Sequence, residues 1–235
     1  MKNFRPIKLT LIYLLMSLFS LNAQDLKKYQ CKIPDTILYV KNNKFGYYDL
    51  KNKKVISKAK FDKAYLFQYD EILGYQDDTI DVKFSANDYA TVTIAKSEYR
   101  IDKTGKIVYK FPKKMLLPPP FSNEKSKYYT YSEYIGRHNQ KWGIKSKEDK
   151  NQITNPEYDN LNELYMFDPN NSKFIAKKNG KFGVIDFQGN IIIEIKYDYL
   201  YNPREYVWEE DGTILVVKEN KKWKVIDLCG NEVKL

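Results

Sequence analysis

One almost wholly apolar run, Leu9 to Leu21, stands at the head of this chain; beyond it, apolar residues come in short stretches divided by polar turns. The clearest stretches lie between residues 173 and 195. Lys173 to Lys178 has strand character, and Asn179-Gly180 follows, two residues that accept positive φ and so mark a two-residue hairpin. Lys181 to Asp186 predicts the returning strand. Asp186-Phe187-Gln188-Gly189 reads as a turn, its Asp accepting a backbone N–H and its Gly tolerating the left-handed conformation. Asn190 to Ile195, rich in β-branched residues, predicts a third strand. The unit is a three-stranded antiparallel meander, with room for a fourth strand in the variable stretch beyond it.

The pattern recurs. Lys44-Phe45-Gly46-Tyr47-Tyr48-Asp49, Lys141-Trp142-Gly143-Ile144-Lys145-Ser146, Lys181-Phe182-Gly183-Val184-Ile185-Asp186 and Lys222-Trp223-Lys224-Val225-Ile226-Asp227 align, and Glu98-Tyr99-Arg100-Ile101-Asp102 is a weaker copy with its aromatic shifted by one. Anchor positions 45, 98, 142, 182 and 223 lie 53, 44, 40 and 41 residues apart. An aromatic-Asp pair trails the motif by 12 or 13 residues in three copies: Phe61-Asp62, Tyr158-Asp159 and Tyr197-Asp198. Two elements recurring in phase identify a repeat array. Phe45, Trp142, Phe182 and Trp223 are expected as mostly buried anchors in equivalent positions. Asp186 and Asp227, with Asp102, are expected in turns rather than in catalysis. Gly46, Gly143 and Gly183 fall inside strands, which predicts a bulge or an aromatic ring lying flat on the backbone.

Phe/Trp-Gly-x-Ile-Asp, a Gly turn and an apolar strand closing on Tyr-Asp resemble the WG-repeat family of bacterial proteins, over roughly residues 40 to 235 and five copies. The resemblance implies an all-β repeat array of a kind often found in exported or envelope proteins, and it carries no catalytic residue to transfer. The sequence departs from the pattern at Lys224, where Gly is expected, and at Lys145-Ser146, where Ile-Asp is expected. The expected fold is all-β: an array of antiparallel three- to four-stranded meanders, open or incompletely closed, with a closed propeller-like ring as the alternative. Cys31 precedes the first copy and Cys229 lies in the last turn. An open array keeps them apart, so both thiols are expected to be free, whereas a closed one would let them bridge.

The leading apolar run changes the picture of compartment. Lys2, Arg5 and Lys8 precede it, no acidic residue appears before Asp25, and Leu21-Asn22-Ala23 ends it on a small residue. This is the layout of a secretory signal peptide cleaved after Ala23, and a largely apolar run of 13 residues falls short of the roughly 20 that span a bilayer. Gln24 stands where a lipoprotein would need Cys. The organisation expected is a signal peptide at 1–23, a lead-in at 24–39, a first repeat half at 40–117, a break at 118–136 around Pro118-Pro119-Pro120, and a second half at 137–235. The chain has 43% apolar residues, which excludes a disordered tail. Removal of the leader's three cations takes the net charge from +10 to +7. In an exported chain the matching anions are envelope polymers rather than nucleic acid.

Candidate chemistry is sparse. His138, the only His, lacks a nucleophile elbow near it. One His and two distant Cys make no zinc site, and Asp77-Asp78-x-x-Asp81 lacks the Gly and Glu of a calcium loop. Asn170-Asn171-Ser172 matches a glycosylation acceptor by letter only. No cofactor is expected. The notable excess is tyrosine, 21 residues. Tyr128, Tyr129, Tyr131 and Tyr134, and the row Tyr197, Tyr199 and Tyr201, place rings at strand spacing, a surface on which sugars or peptides could stack. The reading is a non-catalytic exported repeat protein that offers a β surface to a protein or an envelope polymer, with no membrane span after cleavage. A carbohydrate-active hydrolase using a carboxylate pair, for instance from Glu209-Glu210-Asp211, is the alternative.

Overall fold

The computed structural model describes residues 32–67, 88–111, 127–135, 139–166, 172–203, 206–207 and 212–235. The leader, Cys31, Asp77 to Asp81, Pro118 to Pro120, His138, Asn170-Asn171 and Glu209 to Asp211 lie outside them. The described residues are strand and turn throughout, with no helix. Unit one is β1 (Thr36–Lys41), β2 (Lys44–Asp49) and β3 (Lys54–Phe61), paired in that order. Then β4 (Lys63–Ala64) joins β5 (Tyr89–Ile94), β6 (Ser97–Asp102) and β7 (Ile107–Lys110) in a four-stranded sheet, unit two. Unit three is β8 (Tyr128–Ile135) and β9 (Asn139–Ser146), extended by single bridges from Trp142 to Tyr158 and from Lys145 to Gln152. In unit four, β10 (Asn160–Met166) lies beside β11 (Lys173–Lys178), β12 (Lys181–Asp186) and β13 (Ile191–Tyr197). Unit five comprises β14 (Tyr199–Tyr201), β16 (Ile214–Glu219) and β17 (Lys222–Asp227), while β15 (Tyr206–Val207) pairs parallel with β10. All other strand pairs are antiparallel. β1 starts within the stretch read as a lead-in and β8 lies within the stretch read as a break, so both stretches supply first strands.

The hairpins share one geometry. Asn42-Asn43, Ala95-Lys96, Asn179-Gly180 and Asn220-Lys221 each put two consecutive residues at positive φ, the two-residue turn whose twist suits antiparallel strands. Sequence pointed to only one of them. Ala95 and Lys96, at φ 47° and 65°, have neither the missing side chain of Gly nor the amide of Asn that eases this conformation.

Two third strands do not stop at their own sheet: β3 and β13 cross to the next unit at the aromatic-Asp pair and continue beside that unit's first strand as β4 and β14. The inward face changes parity there: Phe61 and Tyr197 are buried, and so are Ala64 and Leu200, an odd number of residues later. The expected Tyr197, Tyr199 and Tyr201 row is thereby broken. Tyr197 is buried, Tyr199 is exposed and Tyr201 is half-buried.

Three apolar clusters define the array. One joins units one and two to unit five through Phe45, Tyr47, Phe61 and Val92 with Val216 and Val225. A second joins units four and five, and a third joins units three and four. On β16, Ile214 and Val216 face unit one while Leu215 and Val217 face unit four, which is why Ile214-Leu215-Val216-Val217 is apolar without alternation. Unit five is therefore an interior layer, and the order in space is three, four, five, one, two. Among the described residues, no cluster spans units two and three, so the array is incompletely closed, with its gap in mid-sequence.

The ends of the repeat region thus meet, and one expectation is overturned. Cys229 is disulfide-bonded, and the sequence holds one other cysteine, Cys31. The N–H of Thr213 in unit five donates to the carbonyl of Lys32, the residue next to Cys31, at 3.0 Å. Free thiols were expected because an open array was assumed to separate its first and last units in space; these two are neighbours.

Two measurements check this fold. Non-reduced, denatured protein should show no reactive thiol, and reduction should lower stability by about 5 kcal/mol for a loop of this length on the chain-entropy model. Lys96→Gly should raise stability by about 1 kcal/mol in urea unfolding, because it relieves a left-handed residue.

Candidate functional site

At each crossing the aromatic packs against the anchor of its own unit. Phe61 is in register with Phe45, Tyr197 with Phe182, and Tyr158 is bridged to Trp142. Burial, helped by the carboxylate of Glu157, pushes the Tyr158 hydroxyl up to about 12. The following Asp binds three ways. Its N–H donates to the next unit's first strand, from Asp62 to Thr93 O, Asp159 to Lys177 O and Asp198 to Lys218 O, at 2.8, 2.7 and 2.7 Å. Its carboxylate accepts from the lysine that opens its own motif: Lys44 to Asp62, Lys141 to Asp159 at 2.5 Å, and Lys181 to Asp198. It also accepts from the next hairpin turn, Ala95 N to Asp62 at 2.8 Å and Gly180 N to Asp159 at 3.1 Å, with Asn220 and Lys221 N–H groups serving Asp198. The lysine first, and the turn N–H groups after it, hold all three carboxyls below the usual range against the opposing pull of desolvation. Sequence reading gave these lysines no role, although Lys precedes the anchor in four copies and the Asp follows it by 17 or 18 residues in three.

The turn aspartates sit inside their own loops. Asp186 Oδ1 accepts from the N–H groups of Gln188 and Asn190, Asp227 Oδ1 from those of Cys229 and Asn231, and Gly189 and Gly230 stand at positive φ. Asp102 is arranged likewise, with Thr104 and Lys106. In unit three Ser146 takes the position, its Oγ accepting from Glu148 N at 3.2 Å. The strand glycines are pressed by neighbours: a Cβ on Gly46 would lie 2.6 Å from the ring of Tyr39, and one on Gly143 2.7 Å from that of Tyr131. At Gly183 the obstacle is backbone, Ile193 O at 2.5 Å, beside a register shift between β12 and β13.

The anchors occupy equivalent strands, but only Phe45 is buried. Trp142, Phe182 and Trp223 are half-buried, and the ammonium of Lys177 lies 5.3 Å from the Phe182 ring centre while that of Lys218 lies 5.1 Å from Trp223. At Phe182 and Trp223 a long cationic side chain shields the ring without removing it from the surface. The tyrosines of β8 are not gathered on one exposed face. Tyr128 stacks on Phe187 at 4.4 Å, Tyr131 is buried with its hydroxyl donating to Thr154 O at 2.9 Å, and Tyr129 lies under Lys150. Tyr134 is 69% exposed.

A groove of about 430 Å³ lies where unit five meets unit one. Trp223, Lys224 and Val225 of β17 line one side, Tyr39 and Val40 of β1 the other, and Glu232 to Leu235 run along it. Trp223 is fixed by its Nε1 donating to Asn43 Oδ1 at 2.9 Å and by edge contact with Tyr199 at 5.7 Å. Lys224 meets Glu219 at 2.7 Å and Glu232 at 3.8 Å. The contacts with Glu219 raise the ammonium above its usual range, against weaker desolvation, and keep Glu219 ionised. A lining that mixes polar and apolar groups suits an extended chain rather than a metal. Among the described residues, no cluster of His, Cys, Asp and Glu is placed to hold one.

Residues 45–78 and 182–223 match the family model described as WG containing repeat, the family that the repeated motif resembles. The second match runs from the anchor of unit four to that of unit five. No curated protein and no solved structure matches it.

The crossing carboxylates predict an acid limb of stability. Their folded pKa values lie below the ordinary 3.8, so their contribution is present at neutral pH and is lost as pH falls below about 4 through those values. Asp159→Asn should lower the melting temperature at neutral pH and lose that deficit against wild type near the acid end of a pH series of thermal scans.

Proposed function

We propose that this chain is a non-catalytic, exported repeat protein that presents a β surface to another protein or to an envelope polymer. One observation carries the reading. Apart from Lys222, the recurring charged residues of the motif are engaged in turns and crossings, while equivalent positions on the outer strands stay apolar and open. Val55, Ile107 and Ile191 each follow the Gly or Lys turn, each pair with the next-to-last residue of the preceding strand, and are 51, 41 and 62% exposed. β3, β7 and β13, which carry them, are the outer strands of their sheets. Lysines such as Lys54, Lys106 and Lys110 flank these positions, which guards the edges against self-pairing and favours an anionic or extended partner. The leader-like first residues support export.

Crosslinking and capture from the native envelope test the proposal, with residues 24–235 as bait. A single partner should be recovered by wild type and lost when Val55, Ile107 and Ile191 are all replaced by Ser, with the unfolding midpoint kept. Recovery of nothing by wild type, or hydrolysis of an envelope polysaccharide by the purified chain, would overturn it.

A further inference from the structure

The seam between units five and one has a different composition from the other crossings. Within the array a third strand runs along its own sheet, presents an aromatic-Asp pair, and continues beside the first strand of the next unit, as in Lys54–Phe61 followed by Lys63–Ala64 and in Ile191–Tyr197 followed by Tyr199–Tyr201. At the seam, among the described residues, the outer side of β17 is met by Glu232, bridged to Ile226, and by Val233, whose N–H donates to Val225 O at 2.8 Å. Beyond them, along Trp223, the groove opens. On its far side β1 is the edge strand of its sheet, whereas the first strands β5, β11 and β16 each have a crossing strand beside them.

The receiving groups of a crossing are nonetheless in place. Trp223 holds the position of Phe45, Trp142 and Phe182, each of which faces an aromatic of a third strand. Lys222 holds the position of Lys44, Lys141 and Lys181, each of which binds the Asp that follows that aromatic. Among the described residues, no ion pair involves Lys222, and it is exposed. The Asn42-Asn43 turn corresponds to the turns whose N–H groups bind the same carboxylates.

We propose that this groove accepts an extended peptide strand from a partner protein, one carrying an aromatic residue followed by an acidic residue. The strand adds to the edge of β17, lays its aromatic side chain beside Trp223, and sets its carboxylate between the Lys222 ammonium and the Asn42-Asn43 turn, before passing along β1. Main-chain pairing supplies affinity, and the aromatic-acid pair supplies register and specificity. Three crossings within the molecule display the complementary chemistry, and the exposed Lys222, which takes part in no ion pair among the described residues, is placed for the acidic residue of the ligand. This deepens the binding reading, on which it rests, by naming a site and a ligand class.

The probe is a synthetic, fluorescently labelled peptide with the sequence of Lys54 to Ala64, which includes Phe61-Asp62. Anisotropy titration into the purified chain should show saturable one-to-one binding. Asn in place of the peptide's Asp62, or Lys222→Gln in the protein, should each weaken binding about tenfold, and the two together no further than either alone. Lys222 is exposed, so its variant should fold as wild type does. Absence of saturable binding up to about 1 mM, equal affinity for Lys222→Gln, or a dimer of this chain that the peptide does not dissociate would each overturn the proposal. Peptide binding with no envelope partner captured would sink the broader reading alone. Envelope capture unaffected by Lys222→Gln would sink the groove alone.

Discussion

Everything in this array hangs on a carboxylate shared between one unit's lysine and the next unit's hairpin turn. Asp62, Asp159 and Asp198 close the crossing by accepting from a side-chain ammonium behind them and from backbone N–H groups ahead of them. Exposed ion pairs contribute little by themselves. These three matter because of geometry: the charge fixes where a strand leaves one sheet and enters another, and so fixes the register of both. The acceptor also serves a turn that would otherwise be costly. Ala95 and Lys96 sit in the left-handed region without help from their own side chains, and the Asp62 carboxylate takes the Ala95 N–H at 2.8 Å.

Packing then follows from this stepwise linkage. Each sheet is narrow, and none has a core of its own. Apolar faces are covered by neighbours, which is why β16 can be buried on both sides while third strands expose Val55, Ile107 and Ile191. A solenoid normally needs polar terminal units. Here unit five lies inside, held between units four and one, and the places of terminal units fall to units two and three.

What the sequence revealed and what it withheld divide along distance. The turns of Asp102, Asp186 and Asp227 were legible because every hydrogen bond in them spans two to four residues. The glycines of Gly46 and Gly143 were legible because a Gly inside a strand needs a neighbour to justify it, and Tyr39 and Tyr131 supply it. The lysine partners of the crossing aspartates were written in a fixed spacing, yet only strand register shows that they converge. The Tyr197 row misled because period two assumes one strand, and Asp198 separates one strand from the next. The groove was invisible for a plainer reason: it lies between Tyr39 and Trp223, and nothing in their order along the chain says that the first and last units are neighbours.

That neighbourhood sets the timing of folding. A chain emerging from its N-terminus presents unit one long before the strands Ile214–Glu219 and Lys222–Asp227, which complete the same cluster, exist. Units one and two wait for strands more than 100 residues further along the chain before their shared core can close. Contacts of such long sequence separation slow folding, and the open intermediate exposes Phe45 and Tyr47 in the meantime. Until its last unit arrives, a chain of this layout leaves the apolar face of its first unit without the cover it has in the folded molecule.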